Sequence, residues 1–249
     1  MLTLMRKLLS YPLSVIYYIC FGLTLVIFHF IQWVLWNCFG YKAHKISVDW
    51  MCCFLNLNTY ILGTTYRFEN RDLIPSGVPV IIAANHQSFY DIPALAWYLR
   101  KYHVKFVSKI ELGKGVPGIS YNLRHGGSAL IDRKDPRQAL REIGKLGKYI
   151  EETNRGAIIF PEGTRGVGGQ PKEFARSGLK ILCKNAPSAY VVPITINNAW
   201  KMTRWGTFPM CLGTRIVFTI HQPIAVKDMP FDELFEKTEE LVSGHINKE

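Results

Sequence analysis

From Leu8 to Tyr41 the chain carries no formal charge, and the interval is closed by Arg6-Lys7 on one side and Lys42 on the other. An unbroken helix over that interval measures roughly 50 Å at ~1.5 Å per residue, against ~30 Å for one hydrocarbon crossing. The stretch must therefore tilt and overhang, or break. Gly22 is the expected break, giving a hairpin of two shorter helices that dips into a bilayer without crossing it; a single span is the alternative. Cations at both ends leave the positive-inside rule undecided. Tyr17, Tyr18, Trp33, Trp36 and Tyr41 suit an interfacial aromatic belt. The apolar run exceeds the roughly 7–15 residues of a signal-peptide core, and no small-x-small site closes it. Residues 1–47 are thus expected to form a retained membrane-anchoring helical segment. Residues 48–62 are also apolar, and either extend the membrane-facing surface or pack as a buried helix.

Beyond about Thr65 the pattern changes to alternating strand-like and helix-like segments. Residues 78–84, 104–108, 157–160, 190–196 and 215–220 read as strands. Residues 92–100 and 231–243 read as helices. Asp135-Pro136 is a helix start, with Asp as N-cap and Pro at the first position. Leu140, Ile143, Gly147 and Ile150 then share one helical face. Such alternation predicts an α/β sandwich over residues 48–249, a sheet flanked by helices, with functional groups where strands end. No repeat or linker divides it.

Two motifs follow directly after predicted strands. Asn85-His86-Gln87-Ser88-Phe89-Tyr90-Asp91 supplies a histidine with a carboxylate five positions on. Five residues along a regular helix turn through about 140°, so the two side chains meet only if His86 lies in the turn before a helix and Asp91 in its first turn. Ser88 fits the N-cap of that helix, and Pro93 is tolerated near its start. Asp91 can then hold the imidazole Nδ1–H and leave Nε2 outward as a base. Ser88-x-x-Asp91 is equally a capping-box pattern, in which Asp91 serves only the helix. The second motif, Phe160-Pro161-Glu162-Gly163-Thr164-Arg165, offers a glycine turn and a forked cation, the parts of an anion clamp. Lys109 and Arg133 follow other strand-like runs and can reach the same sheet edge.

Net charge is +11, which favours anionic partners: nucleic acid, anionic lipid or a phosphorylated substrate. Clustered basic-aromatic stripes are missing, which argues against nucleic acid. The six cysteines form no CxxC pair and the seven histidines have no ligand-like spacing, so neither a disulfide framework nor a metal is expected. Gly113-Lys114-Gly115-Val116-Pro117-Gly118 matches a dinucleotide fingerprint by letter, but Pro117 interrupts the helix that should begin there. It reads as a loop. No G-x-S-x-G elbow is present.

Taken together, NHQSFYD, KIELGKGVPG with ALIDR, FPEGTR, and VVPI around Pro193 resemble the four ordered blocks of the lysophospholipid acyltransferase family, which includes the bacterial 1-acylglycerol-3-phosphate acyltransferases. The resemblance runs from about Val78 to Ile196. It implies a mixed sheet of the glycerolipid acyltransferase type, and acyl transfer from coenzyme A or acyl carrier protein to the sn-2 hydroxyl of lysophosphatidic acid, giving phosphatidic acid. By the same resemblance His86 is the general base and Asp91 its orienting partner. Lys109, Arg133, Glu162, Gly163, Thr164 and Arg165 bind the acceptor, with phosphate held mainly by Lys109 and Arg165. No cofactor beyond the thioester co-substrate is implied. The expected partners are a phospholipid membrane and these substrates, at the cytoplasmic face of the inner membrane. Gly166 stands where the family often has serine, and Ala129-Leu130 where it has bulkier residues, which leaves acceptor identity and chain preference open. Ser88 and Cys183 remain open as nucleophiles, and a different lysolipid acceptor or a non-catalytic lipid-binding role is the rival reading.

Overall fold

A computed structural model describes residues 2–247. Its first element, α1 (Leu2–Thr59), is two helical arms joined at Gly40, where φ 74° and ψ −164° break the helix. Only glycine adopts that conformation without strain. The break is therefore at Gly40 and not at Gly22, which stays helical. The arms run back along each other: Phe28 packs on Phe54 at 5.6 Å, Gln32 Nε2 meets Met51 Sδ at 3.2 Å, and Asn58 Nδ2 donates to Thr24 Oγ1 at 2.9 Å. The second arm is continuous from 41 to 59, so the division drawn at 47/48 falls inside it. Over residues 48–59 it packs on the domain by one face, burying Val48, Met51, Cys52 and Leu55, and exposes Trp50, Phe54 and Leu57 on the other.

Among the described residues eight strands form one mixed sheet. They are β1 (Thr65–Glu69), β2 (Val80–Ala84), β3 (Lys105–Lys109), β4 (Ala129–Ile131), β5 (Gly156–Ile159), β6 (Tyr190–Asn197), β7 (Arg215–Ile220) and β8 (Ile224–Ala225). Their order is β1-β7-β6-β2-β5-β3-β4, with β8 paired to β6. The run β6-β2-β5-β3-β4 is parallel throughout, and β6 meets β7 and β8 antiparallel.

Strand β2 shows why the sheet needs cover on both faces. Val80, Ile82 and Ala84 point into one apolar core with α2 (Asp91–Tyr98) and the first arm of α1. Ile81 and Ala83 point into the other, with α4 (Pro136–Thr153), α5 (Arg176–Asn185) and α6 (Phe231–Ser243). The period of two splits one continuous apolar run between two layers. The short α3 (Ile119–His125) completes the helices. Asp135 caps α4 as its sequence predicts, accepting from Gln138 N at 3.0 Å. Gly147 is required there, because a Cβ on it would lie 2.7 Å from Asn185 Cβ of α5.

Candidate active site

Parallel pairing places the C-terminal ends of β2, β5, β3 and β4 side by side at one sheet edge, and each of these ends delivers a motif residue. His86 follows β2, the Glu162–Arg165 turn follows β5, Lys109 closes β3, and Arg133 follows β4. Segments separated by more than 70 residues thus meet in one cavity of about 800 Å³, lined by His86, Phe106, Lys109, Arg133, Phe160, Gly163, Thr164, Arg165 and Lys172 among others.

Asp91 opens α2 and is fully buried. Its Oδ2 accepts from His86 Nδ1 at 2.8 Å, and also from the backbone N–H groups of Gln87 and Ser88, each at 2.8 Å. One oxygen therefore serves both roles that the sequence left open, orienting the imidazole and closing the turn before the helix. The N-cap position belongs to Tyr90, not Ser88. With Nδ1 committed to a carboxylate, the ring is held as the tautomer whose Nε2 is a free base. Phe160 stacks on the ring at 4.1 Å and fixes its plane.

The backbone carrying His86 is tied to its neighbours from both flanks. Asn85 behaves like an extra rung of sheet, donating to Ile196 O at 2.9 Å and accepting from Ile196 N at 2.6 Å. Gln87 Oε1 accepts from Ala199 N at 3.0 Å. On the other side Glu162 Oε1 accepts from His86 N at 2.9 Å, and Gly166 N donates to His86 O at 2.8 Å. Glu162 Oε2 accepts from Lys172 N at 3.1 Å. Burial pushes the Glu162 carboxyl up, against the opposing pull of those two N–H groups. Both of its oxygens are thus engaged, and it does not line the cavity. It acts as a brace between the two motifs, unlike the other expected acceptor residues, which all face the cavity. Gly163 has φ 69° and makes the turn that brings Thr164 and Arg165 to the rim.

Lys172 is a cavity residue that no motif marked. It donates to Thr164 Oγ1 at 2.6 Å, and only the folding back of the 166–172 loop puts it there. Burial lowers the Arg133 guanidinium from its ordinary value, with Glu111 acting the other way. Neither open nucleophile reaches the cavity. Ser88 is buried beneath the turn, and Cys183 lies in the core between sheet and helices with its thiol pushed up to about 12 by burial. Asp91 Oδ1 has no hydrogen-bond partner. Among the described residues no group of His, Cys, Asp and Glu could hold a metal.

A second, smaller space of about 200 Å³ lies between the hairpin and the sheet, lined largely by apolar side chains. Phe89, Ile92, Phe106, Ser108 and Leu112 line both spaces. The hairpin thus walls a greasy extension of the cavity. Asn56 of the second arm fastens it to α2 by donating to Pro93 O at 3.0 Å.

Comparison with known proteins agrees with this geometry. The fold is similar to the crystal structure of the 1-acyl-sn-glycerophosphate acyltransferase of Thermotoga maritima, with a TM-score of 0.77 and 24% identity over 96% of this chain and 94% of that one. The chain is 34% identical over 125 residues to a 1-acyl-sn-glycerol-3-phosphate acyltransferase of Helicobacter pylori, covering 49% of this chain and 50% of the relative. It is 29% identical over 173 residues to the protein of that name from Pseudomonas aeruginosa, covering 69% and 65%. The chain therefore spans between half and two thirds of the length of these curated relatives. The acyltransferase family profile matches residues 65–197, from β1 through β6 and across every cavity residue named above: the chain belongs to the acyltransferase family.

Proposed function

We propose that this chain transfers a fatty acyl group from a thioester, coenzyme A or acyl carrier protein, to the sn-2 hydroxyl of lysophosphatidic acid, forming phosphatidic acid at a membrane surface. One observation carries the reading: an imidazole oriented by a buried carboxylate opens into the same cavity as three cations at strand ends, Lys109, Arg133 and Arg165. A phosphomonoester held by the cations places a glycerol hydroxyl toward His86. Nε2 takes the hydroxyl proton as the oxygen attacks the thioester carbonyl. The tetrahedral intermediate collapses, the C–S bond breaks, and the imidazolium returns the proton to the departing sulfur. Holding both substrates turns an encounter into a near-unimolecular step. No acyl-enzyme is needed. The apolar extension suits a hydrocarbon chain, because burial is worth about 0.8 kcal/mol per methylene.

The first arm of α1 supports a membrane seat. Ser10, Ser14, Tyr17, Leu25, Phe28 and Gln32 are buried, while Leu8, Val15, Ile19, Leu23, Phe30 and Val34 are exposed. One face is consumed by protein over most of the arm's length, and the other is an apolar stripe with nothing on it. Such a helix lies in the interface plane with its stripe in the acyl layer, rather than crossing. We place the protein on the cytoplasmic face of the inner membrane as a monotopic enzyme, its membrane contact made by both arms of α1.

The test is thiol release from acyl-coenzyme A and acyl carrier protein on addition of lysophosphatidate, with lysophosphatidylcholine and lysophosphatidylethanolamine as competing acceptors. The reading expects release that depends on lysophosphatidate. Faster release with another lysolipid would reassign the acceptor, and no release with any of them would leave a lipid-binding protein.

A further inference from the structure

The connection between β6 and β7 is the longest irregular excursion from the sheet that joins two neighbouring antiparallel strands. It runs from residue 198 to residue 214, where a hairpin needs about two to five residues. Its base is rigid. Met202 and Met210 are fully buried, and Cys211 N donates to Met202 O at 2.9 Å. Its tip, Arg204-Trp205-Gly206-Thr207-Phe208, is turned outward, and Phe208 keeps 48% of its surface exposed.

The tip is fastened to the first arm of α1. Met210 N donates to Ser14 Oγ at 2.8 Å, the Tyr18 hydroxyl donates to Thr207 O, and Phe208 meets Tyr11 edge-on at 5.6 Å. Phe208 thus stands beside Tyr11 and adds an exposed ring to the side of the arm's apolar stripe. Charge points the same way. No carboxylate side chain occurs before Asp49 or between Glu173 and Asp228, so arm and loop are both free of acids. Arg204, Arg6 and Lys201 gather around Cys211 at the foot of the tip. Aromatic rings with neighbouring cations and no acids are the composition of the headgroup layer's protein contacts.

We propose that the 204–208 tip is a second membrane contact, seated in an anionic leaflet alongside the first arm of α1 through Phe208, Trp205 and Arg204. The inference rests on the membrane seat of the hairpin and adds its missing dimension. A contact set to one side of the hairpin resists rocking of the whole molecule about the hairpin's long axis and fixes which way the cavity mouth faces the lipid.

Sedimentation of the full chain with sucrose-loaded vesicles tests it, using phosphatidylcholine alone and a 7:3 mixture with phosphatidylglycerol. The paired substitution Phe208→Ser and Trp205→Ser should lower the partition coefficient about tenfold on both compositions, the order expected from withdrawing two partly buried aromatic rings. Arg204→Gln should lower it about fivefold on the anionic vesicles only. Turnover of micellar lysolipid should match the wild type, since no substituted residue lines the cavity. Should the paired variant fail to fold, Arg204→Gln alone decides the matter. Wild-type partitioning by these variants would overturn the second contact while leaving the hairpin's seat intact. Unchanged partitioning with altered oligomeric state would show that the tip joins copies of the chain. Failure of the wild type to bind either vesicle would instead remove the membrane seat itself.

Discussion

Strand β3 is five residues long and begins and ends with lysine, and its two ends show what environment does to one side chain. Lys109, at the C-terminal end, is exposed at the rim of the cavity and takes part in no ion pair among the described residues. Lys105, at the other end, is 4% exposed beneath the bend of the hairpin. It donates to the Tyr41 hydroxyl at 2.6 Å, and that hydroxyl also meets His103. Lys45 and Arg155 stand nearby, and the one acid, Asp49, is engaged by Lys45. Burial first, and then those two cations, lower the Lys105 amine to about 7; burial likewise lowers His103 to about 3. The two histidines differ in their surroundings. His86 has a carboxylate partner and an open cavity, whereas His103 lies against the Tyr41 ring and near Lys105, Lys45 and Arg155. The cavity end exposes its lysine, and the hairpin end buries its own.

The sharpest way to break this contrast is to remove each histidine. His86→Ala should cut turnover by about a thousandfold or more, the range of a lost general base, with vesicle binding and unfolding temperature preserved. His103→Gln should leave turnover within about twofold. A His86→Ala enzyme retaining a tenth of wild-type turnover would move the base elsewhere.

The next test concerns what the cations at the open end hold. Arg165→Ala should raise KM for the lysolipid about thirtyfold, from loss of roughly 2 kcal/mol of charge-assisted hydrogen bonding. KM for the thioester should stay level, and equal rises in both would contradict a headgroup role. Glu162→Gln probes the brace. Its amide must turn an NH₂ toward one of two N–H donors, so kcat should fall about tenfold with little change in KM. A rise in KM alone would mean that Glu162 touches the acceptor after all.

The smallest effect lies at the closed end and is read as stability. Lys105→Met should stabilise the fold by about 1–2 kcal/mol at pH 6, as replacement of a poorly paired buried charge often does. The sign follows from an amine at 10.5 when unfolded and about 7 when folded. Between those values the unfolded chain binds the extra proton, so wild-type stability rises with pH across that window. The advantage of Lys105→Met should therefore shrink from pH 7 toward pH 10. A difference that stays flat across pH would show that Lys105 is not a silenced cation.

Much of the site was legible because strand ends are legible. Apolar runs at 80–84 and 156–159 stop at His86 and at the Pro161 turn, and neighbouring parallel strands bring such stops to one edge. The sheet's outer members were harder to read. The three-residue β4 and the half-exposed β1 lack a strong period, and α5 follows a loop whose course depends on contacts with Glu162. The brace itself escaped notice, because a glutamate beside a phosphate-like turn reads as a ligand until its backbone partners are known. The hairpin's break was misplaced for a related reason. Gly22 and Gly40 look alike in sequence, but a helix tolerates an interior glycine at a cost of about 1 kcal/mol. Which one bends depends on where the second arm must turn back against the first.

By itself the sequence determined the kinds of chemistry available: a histidine with an acid at a spacing that only a turn can close, cations after apolar strands, and a long uncharged arm. These follow from local sterics and hydrogen bonding, which act within a few residues. Only the tertiary structure decided which of these groups are buried and which are exposed. Desolvation and charge–charge coupling depend on neighbours distant in the chain, and so two lysines four residues apart were given opposite fates.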